Sequence, residues 1–271
     1  MTKFMKNSCI LCLILMISLM ATACGSSKDT STPTSDVSAQ KVDLTISAAA
    51  SLTNALQDIQ KAYESTYPNV KLNFNFAASG ALQQQIEQGA PVDLFISAAT
   101  KNLQALVDKQ IIQEDKHTNL LTNELVVVVP LGEKASITNL KDLSHEDVAK
   151  IAVGIPESVP AGNYAKEALT KANLWDTLQP KIVQAKDVRQ VLQYVETGNV
   201  DAGFVYQTDA LTSDKVKVFL TVDPTTYTTI KYPMGIISTT KHLEETEAFY
   251  AFLQSEVALN IFIKYGFSVP K

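Results

Sequence analysis

The chain has 271 residues, of which 46% are hydrophobic, and a formal net charge of −5. This length is long for one compact domain and suits two small domains that share a chain. Arg189 is the only arginine, and no stripe of lysines interleaved with aromatic residues occurs, so the composition argues against a nucleic-acid partner.

Residues 1–23 have the pattern of a secretory signal peptide. Lys3 and Lys6 precede an apolar run at 9–20 that is too short for a membrane span. Small residues then lead to Cys24, which resembles a lipoprotein processing box and predicts that Cys24 is lipidated. An ordinary cleaved signal with a leftover cysteine is the alternative. We therefore expect an extracytoplasmic protein anchored to the cell membrane, whose net charge falls from −5 to −7 once the two signal lysines are removed.

Residues 24–40 form the lipid anchor and a flexible linker in this interpretation. They are mostly Ser, Thr, Lys and Asp with hardly any bulky apolar side chain, so they cannot bury a core. Cys9 and Cys12 belong to the removed signal, so we expect no internal disulfide in the mature fold. Folded structure is predicted to begin near Lys41.

From Lys41 onward the hydrophobic period switches repeatedly between two and about 3.6, which predicts strands alternating with helices in an α/β fold. The first unit is βαβαβ, and the continuous apolar run of its last strand suits a largely parallel sheet that is covered on both faces. Its predicted elements are strands at 42–46, 70–76 and 92–97, a helix at 52–63 that ends before Pro68, and a short helix that ends at Gly89.

A second unit follows, and the chain then returns to the first. The two lobes are predicted to comprise 41–121 plus 232–271, and 122–231. The chain crosses between them near 121–124 and 229–232, where a few residues can absorb a hinge rotation. The elements of the second unit are strands at 124–129, 151–153, 181–185 and 202–205 with helices at 161–172 and 187–198, and the returning section has a strand at 234–238 and helices at 243–253 and 257–265.

Five strand-to-helix junctions are candidate binding positions. Ligands of open α/β sheets collect beyond the carboxyl ends of strands, where helix N-termini present unpaired N–H groups to an anion. The junctions supply amides, hydroxyls and small side chains, and they lie at 47–51, 77–80, 156–162, 185–188 and 205–206.

Several of these segments resemble the molybdate-binding proteins (ModA family) of ABC-type importers, and the resemblance extends from about Val42 to the C-terminus. It is carried by AAASLTNA at 48–55, GAPVDLFISA at 89–98, VPAGNYAKEAL at 159–169, DVR at 187–189 and YGF at 265–267. The resemblance implies a two-lobed periplasmic-binding-protein fold of type II, in which each lobe is a mostly parallel sheet flanked by helices and the ligand lies in the cleft between the lobes.

The resemblance also implies which residues bind the oxyanion. Ser51 and Ser79 match serines that give hydroxyl and backbone donors, Ala161 and Val188 match residues that offer backbone N–H groups, and Tyr206 matches a tyrosine that donates its phenol. All five lie on the junctions given above. The implied ligand is molybdate or tungstate, without a cofactor or catalysis, and the implied partners of the monomer are the permease and ATPase of an ABC importer.

Each of these residues also has a structural explanation. Ser51 is suited to cap its helix, Ser79 before Gly80 to form an ordinary turn, and Tyr206 to sit in the core with its hydroxyl at the surface. Arg189 follows the start of a helix, and we expect it to bind a carboxylate or the surface instead of the ligand.

Three other functions are open at this point, and one of them is a surface lipoprotein with an interaction role. Sulfate or another small anion is an alternative ligand on the same scaffold. An enzyme would need a nucleophile, a base or a metal in the cleft. His117, His145 and His242 are scattered without metal-ligand spacing, and there is no Gly-rich phosphate loop or Gly-x-Ser-x-Gly turn.

Overall fold

The structure is a computed structural model that describes residues 41–132 and 138–270. The predicted signal peptide, Cys24 and the linker lie outside the described residues. Within these two ranges, no helix is both long and apolar enough to cross a bilayer.

The first sheet has the strand order β2-β1-β3-β10-β4. Its strands come from both ends of the described chain, because β10 returns to pair with β3 and β4. The bounds are β1 Val42–Ala49, β2 Val70–Ala77, β3 Leu94–Ile96, β4 Ile112–Thr122 and β10 Lys231–Ile237.

The second sheet has the order β7-β6-β8-β5-β9. Its central strands are buried along their whole length, as expected of strands that helices cover on both faces. The bounds are β5 Leu125–Pro130, β6 Ile151–Gly154, β7 Ile182–Ala185, β8 Ala202–Tyr206 and β9 Val216–Thr221.

Nine α-helices flank the two sheets in the described part of the chain. The three that matter most for the site, α2, α4 and α6, each begin within a few residues of the carboxyl end of a strand. The bounds are α1 Thr53–Thr66, α2 Ser79–Glu87, α3 Thr100–Asp108, α4 Pro160–Lys171, α5 Trp175–Leu178, α6 Val188–Glu196, α7 Gln207–Ala210, α8 Leu243–Leu253 and α9 Glu256–Lys264.

The α/β class, the two-lobed fold and the mostly parallel sheets are confirmed. In the first sheet β1 pairs in parallel with β2 and β3, whereas β10 runs antiparallel to its neighbours. The second sheet has the same division, with β6 parallel to β7 and β8 and with β5 antiparallel to β8 and β9. Because β10 and β5 are each antiparallel to both of their neighbours, β4 and β9 run in the same direction as the parallel strands, and only one strand of each sheet is reversed. The reason is that the strand following each crossing enters its sheet from the opposite end.

No prediction was made for two strands, β4 and β9, or for three helices, α3 and the four-residue α5 and α7. Both strands, β4 and β9, are sheet edges that alternate poorly because edge strands expose one side and carry charged residues. Helix α3 had a usable signal, since Leu103, Leu106 and Val107 are buried at helical spacing. The predicted helices and strands agree with the observed ones to within a few residues.

Helix α4 packs unusually close to strand β6. A Cβ atom on Gly162 would lie 1.9 Å from the carbonyl oxygen of Gly154, so only glycine permits this approach. The contact fixes the N-terminal turn of α4, which includes Ala161, against the end of β6.

We predict that Gly162→Ala lowers the free energy of unfolding by about 1 to 3 kcal/mol, because the added methyl group overlaps a backbone carbonyl that cannot rotate away. Urea denaturation of the two proteins measures the difference. Gly89→Ala is a matched control, because Gly89 has a φ of +87° but nothing within 4 Å of an added Cβ. It should cost only about 1 kcal/mol of backbone strain, and an equal loss in both variants would contradict the overlap argument.

Candidate functional site

All five residues predicted to bind the ligand line one small cavity between the lobes. The cavity offers about 10 Å³ to the centre of a water molecule, which is about what one water needs, so a sugar or an amino acid would not fit in this conformation. Small side chains dominate its wall, and its lining residues are Ala49, Ala50, Ser51, Ala77, Ala78, Ser79, Ala98, Val159, Pro160, Ala161, Val188 and Tyr206.

The first lobe contributes two buried serines. Ser51 lies just beyond β1 and Ser79 just beyond β2, and both are at most 3% exposed. The Ser79 Oγ accepts a hydrogen bond from the Ala98 N–H at 2.9 Å, so its own hydrogen is free to point into the cavity. The Ser51 Oγ lies 2.9 Å from the phenol oxygen of Tyr232. In this structure neither serine side chain caps its own helix.

The second lobe contributes the first turns of two helices. Ala161 follows Pro160 at the start of α4, and Val188 is the first residue of α6. Helical geometry leaves the N–H groups of both residues without an acceptor in their own helices. The Asp187 side chain caps α6 by accepting a hydrogen bond from the Gln190 N–H. It does not engage the Val188 N–H, which stays available. Each helix N-terminus adds a partial positive charge at the cavity.

Tyr206 ends strand β8 and places its phenol at the cavity wall. The side chain is 1% exposed, and among the described residues nothing hydrogen-bonds its hydroxyl. Burial, followed by the nearby Tyr232, raises the pKa of Tyr206 well above its usual value, so the phenol keeps its hydrogen. Tyr63 also has a buried hydroxyl without a partner, but it packs among the rings of Phe249 and Phe252. The position of Tyr206 at a cavity is therefore what distinguishes it.

None of the described residues that line the cavity carries a charged side chain. The groups that face it are hydroxyls, backbone amides and a phenol, which together form a set of hydrogen-bond donors. Such a set suits an anion that has acceptor atoms on every side. The wider groove of about 830 Å³ around Lys101, Lys166 and Thr228 lies elsewhere and lacks this convergence of strand ends.

Arg189 does not line the cavity, as the sequence analysis expected. Its Nε lies 2.9 Å from an Asp209 carboxylate oxygen, off the direction of a good hydrogen bond, and its Nη2 donates to the Ser51 carbonyl and to the side chain of Asn54. Because Asp209 belongs to the second lobe and Ser51 and Asn54 to the first, the guanidinium joins the two lobes behind the cavity.

Three further hydrogen bonds join the lobes on the cavity side. The Gly80 N–H donates to the Ser158 carbonyl at 2.9 Å, and the Tyr164 hydroxyl donates to the Ala98 carbonyl at 3.2 Å. Lys101 donates to the Asn163 side chain at 2.9 Å. Together with the contacts of Arg189, these hydrogen bonds hold the two lobes against each other, so the cleft between them is closed.

No His, Cys, Asp or Glu side chain is among the described residues that line the cavity. His117, His145 and His242 lie outside the cavity lining, and the described residues contain no group of three or more His, Cys, Asp or Glu side chains placed to hold a metal ion. Asp93 and Asp201 lie outside the cavity lining and accept hydrogen bonds from the backbone N–H groups of Thr45, Ala149 and Lys150, which gives them structural roles.

Two sheets joined by two chain crossings, with a small donor-lined cavity between them, define a two-lobed ligand-binding protein of type II. The chain matches the family model of the bacterial extracellular solute-binding proteins over residues 44–268, and it belongs to that family.

Relatives of known name agree with this assignment. YvgL of Bacillus subtilis (strain 168), named as an ABC transporter substrate-binding lipoprotein, is 52% identical over 85% of this chain and 88% of YvgL. The molybdate-binding protein ModA of Escherichia coli (strain K12) is 43% identical over 83% of this chain and 89% of ModA. The substrate-binding domain of a molybdenum ABC transporter from Clostridium difficile is 45% identical with a TM-score of 0.66, covering 85% of this chain and 100% of that domain. The resemblance to ModA proteins is confirmed.

The buried Asp209 generates a prediction about pH. Burial raises its pKa from 3.8 to about 6, although the Arg189 guanidinium acts in the opposite direction. The native protein therefore holds this proton more tightly than the unfolded chain, and the resulting stability is present below pH 4 and lost as the pH rises through about 6. We predict that the unfolding free energy of the wild type, measured relative to Asp209→Asn by urea denaturation, falls between pH 4 and pH 6.5. Parallel profiles for the two proteins would show that Asp209 titrates at its ordinary pKa.

Proposed function

We propose that this protein captures molybdate, and tungstate equally, outside the cytoplasm and delivers it to an ABC importer. The observation that carries the proposal is the cavity itself, because Ser51, Ser79, Ala161, Val188 and Tyr206 meet there and offer hydrogen-bond donors with no carboxylate among the described lining residues. The names of the similar YvgL and ModA proteins support the same ligand and transport system.

The affinity follows from the number of donors. A hydrogen bond to a charged acceptor contributes roughly 1.5 to 3 kcal/mol, and a tetrahedral dianion has enough lone pairs for all five residues. Several such bonds reach about −8 kcal/mol, which corresponds to micromolar binding or tighter. Closing the lobes removes water from the cavity and strengthens each bond.

Selectivity follows from the absence of a carboxylate in the described lining. A protonated phosphate brings an O–H group that would find no carboxylate to accept its hydrogen, and an unpaired buried hydroxyl is costly. Sulfate has the same charge and shape as molybdate but shorter bonds, so its oxygens would not reach all the donors at once. Molybdate and tungstate are nearly the same size, and the cavity has no group that separates them.

The bound anion would bridge the lobes and favour the closed cleft. We place the lobes at 41–121 plus 232–271 and at 122–231, and the hinge in the two crossings near 121–124 and 229–232. The monomer in its closed form is then the signal that the permease and ATPase of the importer recognise. Lipidation at Cys24 would hold the protein at the membrane, and no catalytic step or cofactor is part of this function.

Titration calorimetry of residues 41–271 with four oxyanions at matched ionic strength tests the proposal. We expect micromolar or tighter binding of molybdate and tungstate and no heat from sulfate or phosphate. A preference for sulfate would assign the chain to another oxyanion, and silence with all four would overturn the proposal.

The unpartnered phenol provides a second test. We predict that Tyr206→Phe weakens molybdate binding by about 1 to 3 kcal/mol, because one donor to a charged ligand is lost. The same change should leave the thermal stability of the ligand-free protein equal or higher, since it removes a buried hydroxyl that has no protein partner.

Tyr63→Phe is the matched control for this test, because its hydroxyl is also buried and unpaired but lies in the first-lobe core. It should leave the affinity unchanged. Unchanged affinity in Tyr206→Phe as well would remove Tyr206 from the site.

A further inference from the structure

Hydrogen-bonded side chains connect the two chain crossings to Ser51, and no pattern in the sequence predicts this connection. The Tyr232 hydroxyl lies 2.9 Å from the Ser51 Oγ, and the Asn123 amide nitrogen donates to the same Tyr232 oxygen at 3.2 Å. Tyr232 is fully buried near the start of β10, and Asn123 lies between β4 and β5. Both crossings between the lobes therefore contribute to one hydrogen-bonded chain, which we name the Asn123–Tyr232–Ser51 chain.

The orientation of the Asn123 amide is fixed by the backbone. Its carbonyl oxygen accepts a hydrogen bond from the Glu124 N–H at 2.9 Å, so the amide nitrogen must face the other way. That nitrogen donates to the Thr208 hydroxyl at 2.8 Å and to Tyr232. An amide nitrogen cannot accept, and the Tyr232 oxygen is consequently the acceptor of this bond.

The direction of the next bond follows. Since the Tyr232 oxygen accepts from Asn123, its own hydrogen is available for the Ser51 Oγ. Burial raises the pKa of Tyr232 well above its usual value, so the phenol keeps that hydrogen. Once the Ser51 oxygen accepts it, the Ser51 hydrogen has the cavity as its remaining direction.

We propose that Tyr232 is a positioning and specificity-determining residue, which holds the Ser51 hydroxyl as a donor toward the bound anion. The proposal rests on the oxyanion-binding function given above. A serine hydroxyl that rotates freely can also accept a hydrogen bond and would tolerate a protonated ligand. Held as a donor, it favours an anion without hydrogens.

Ser79 is held in the same way by a different group. Its oxygen accepts from the backbone N–H of Ala98, so both serines of the first lobe are fixed as donors. A substitution cannot remove the backbone amide that donates to Ser79, whereas it can remove the Tyr232 hydroxyl that contacts Ser51. Ser51 is for this reason the position where the donor-only character can be tested.

Titration calorimetry of Tyr232→Phe with molybdate and with phosphate near pH 7 is the direct experiment. We expect the Kd for molybdate to rise roughly tenfold, which equals about 1.4 kcal/mol, and the selectivity for molybdate over phosphate to narrow. In the Ser51→Ala background the same substitution should have no further effect, because Tyr232 acts through the Ser51 hydroxyl.

Controls separate this role from a merely structural one. Tyr265→Phe also deletes a hydrogen-bonded phenol, whose partner is Asp58 at 2.7 Å on the first lobe, and should leave both Kd values unchanged. Asn123→Ala should shift the Kd in the same direction by a smaller factor, and it provides the test if Tyr232→Phe fails to fold.

Either of two results overturns the inference while leaving the proposed function intact: wild-type affinity and selectivity in Tyr232→Phe, or a loss of equal size with and without the Ser51 hydroxyl. Failure of the wild type to bind molybdate would instead overturn the proposed function, and the inference with it.

Discussion

The structure depends on one constraint, which is that strand ends and helix N-termini of both lobes meet around one small cavity. No charged side chain lies among the described lining residues of the cavity, so the positive field comes from hydroxyls, a phenol and the first turns of α2, α4 and α6. Helix N-termini can meet only if parallel strands end at a common edge in each lobe. The small side chains of the wall and the glycine contacts at Gly80 and Gly162 allow these backbones to approach closely.

Charge is kept near the cavity but outside it. Arg189 neutralises the buried Asp209 and reaches across to Ser51 and Asn54 of the first lobe. An arginine inside the cavity would attract any anion, including protonated ones, because a point charge does not distinguish an oxygen that carries hydrogen from one that does not. Arg189 therefore contributes a contact between the lobes, while the described lining of the cavity stays uncharged.

The hinge and the site are parts of one hydrogen-bonded structure. Asn123 and Tyr232 belong to the two crossings and are hydrogen-bonded to each other. Asn123 also contacts Thr208 of the second lobe, and Tyr232 contacts Ser51 of the first lobe. The donor direction of Ser51 is thus coupled to the geometry of the crossings.

Local pattern alone determined the fold class, most helices and strands, and the junctions at which Ser51, Ser79, Ala161, Val188 and Tyr206 lie, because hydrophobic period and turn residues act over short stretches of chain. The choice of these five needed the family resemblance. Sheet edges, the antiparallel strands, the roles of Arg189 and Asp209, and the contact of Ser51 with Tyr232 were decided only by the tertiary structure. Ser51 and Tyr232 are 181 positions apart, and no periodicity in a sequence specifies which two distant hydroxyls will meet.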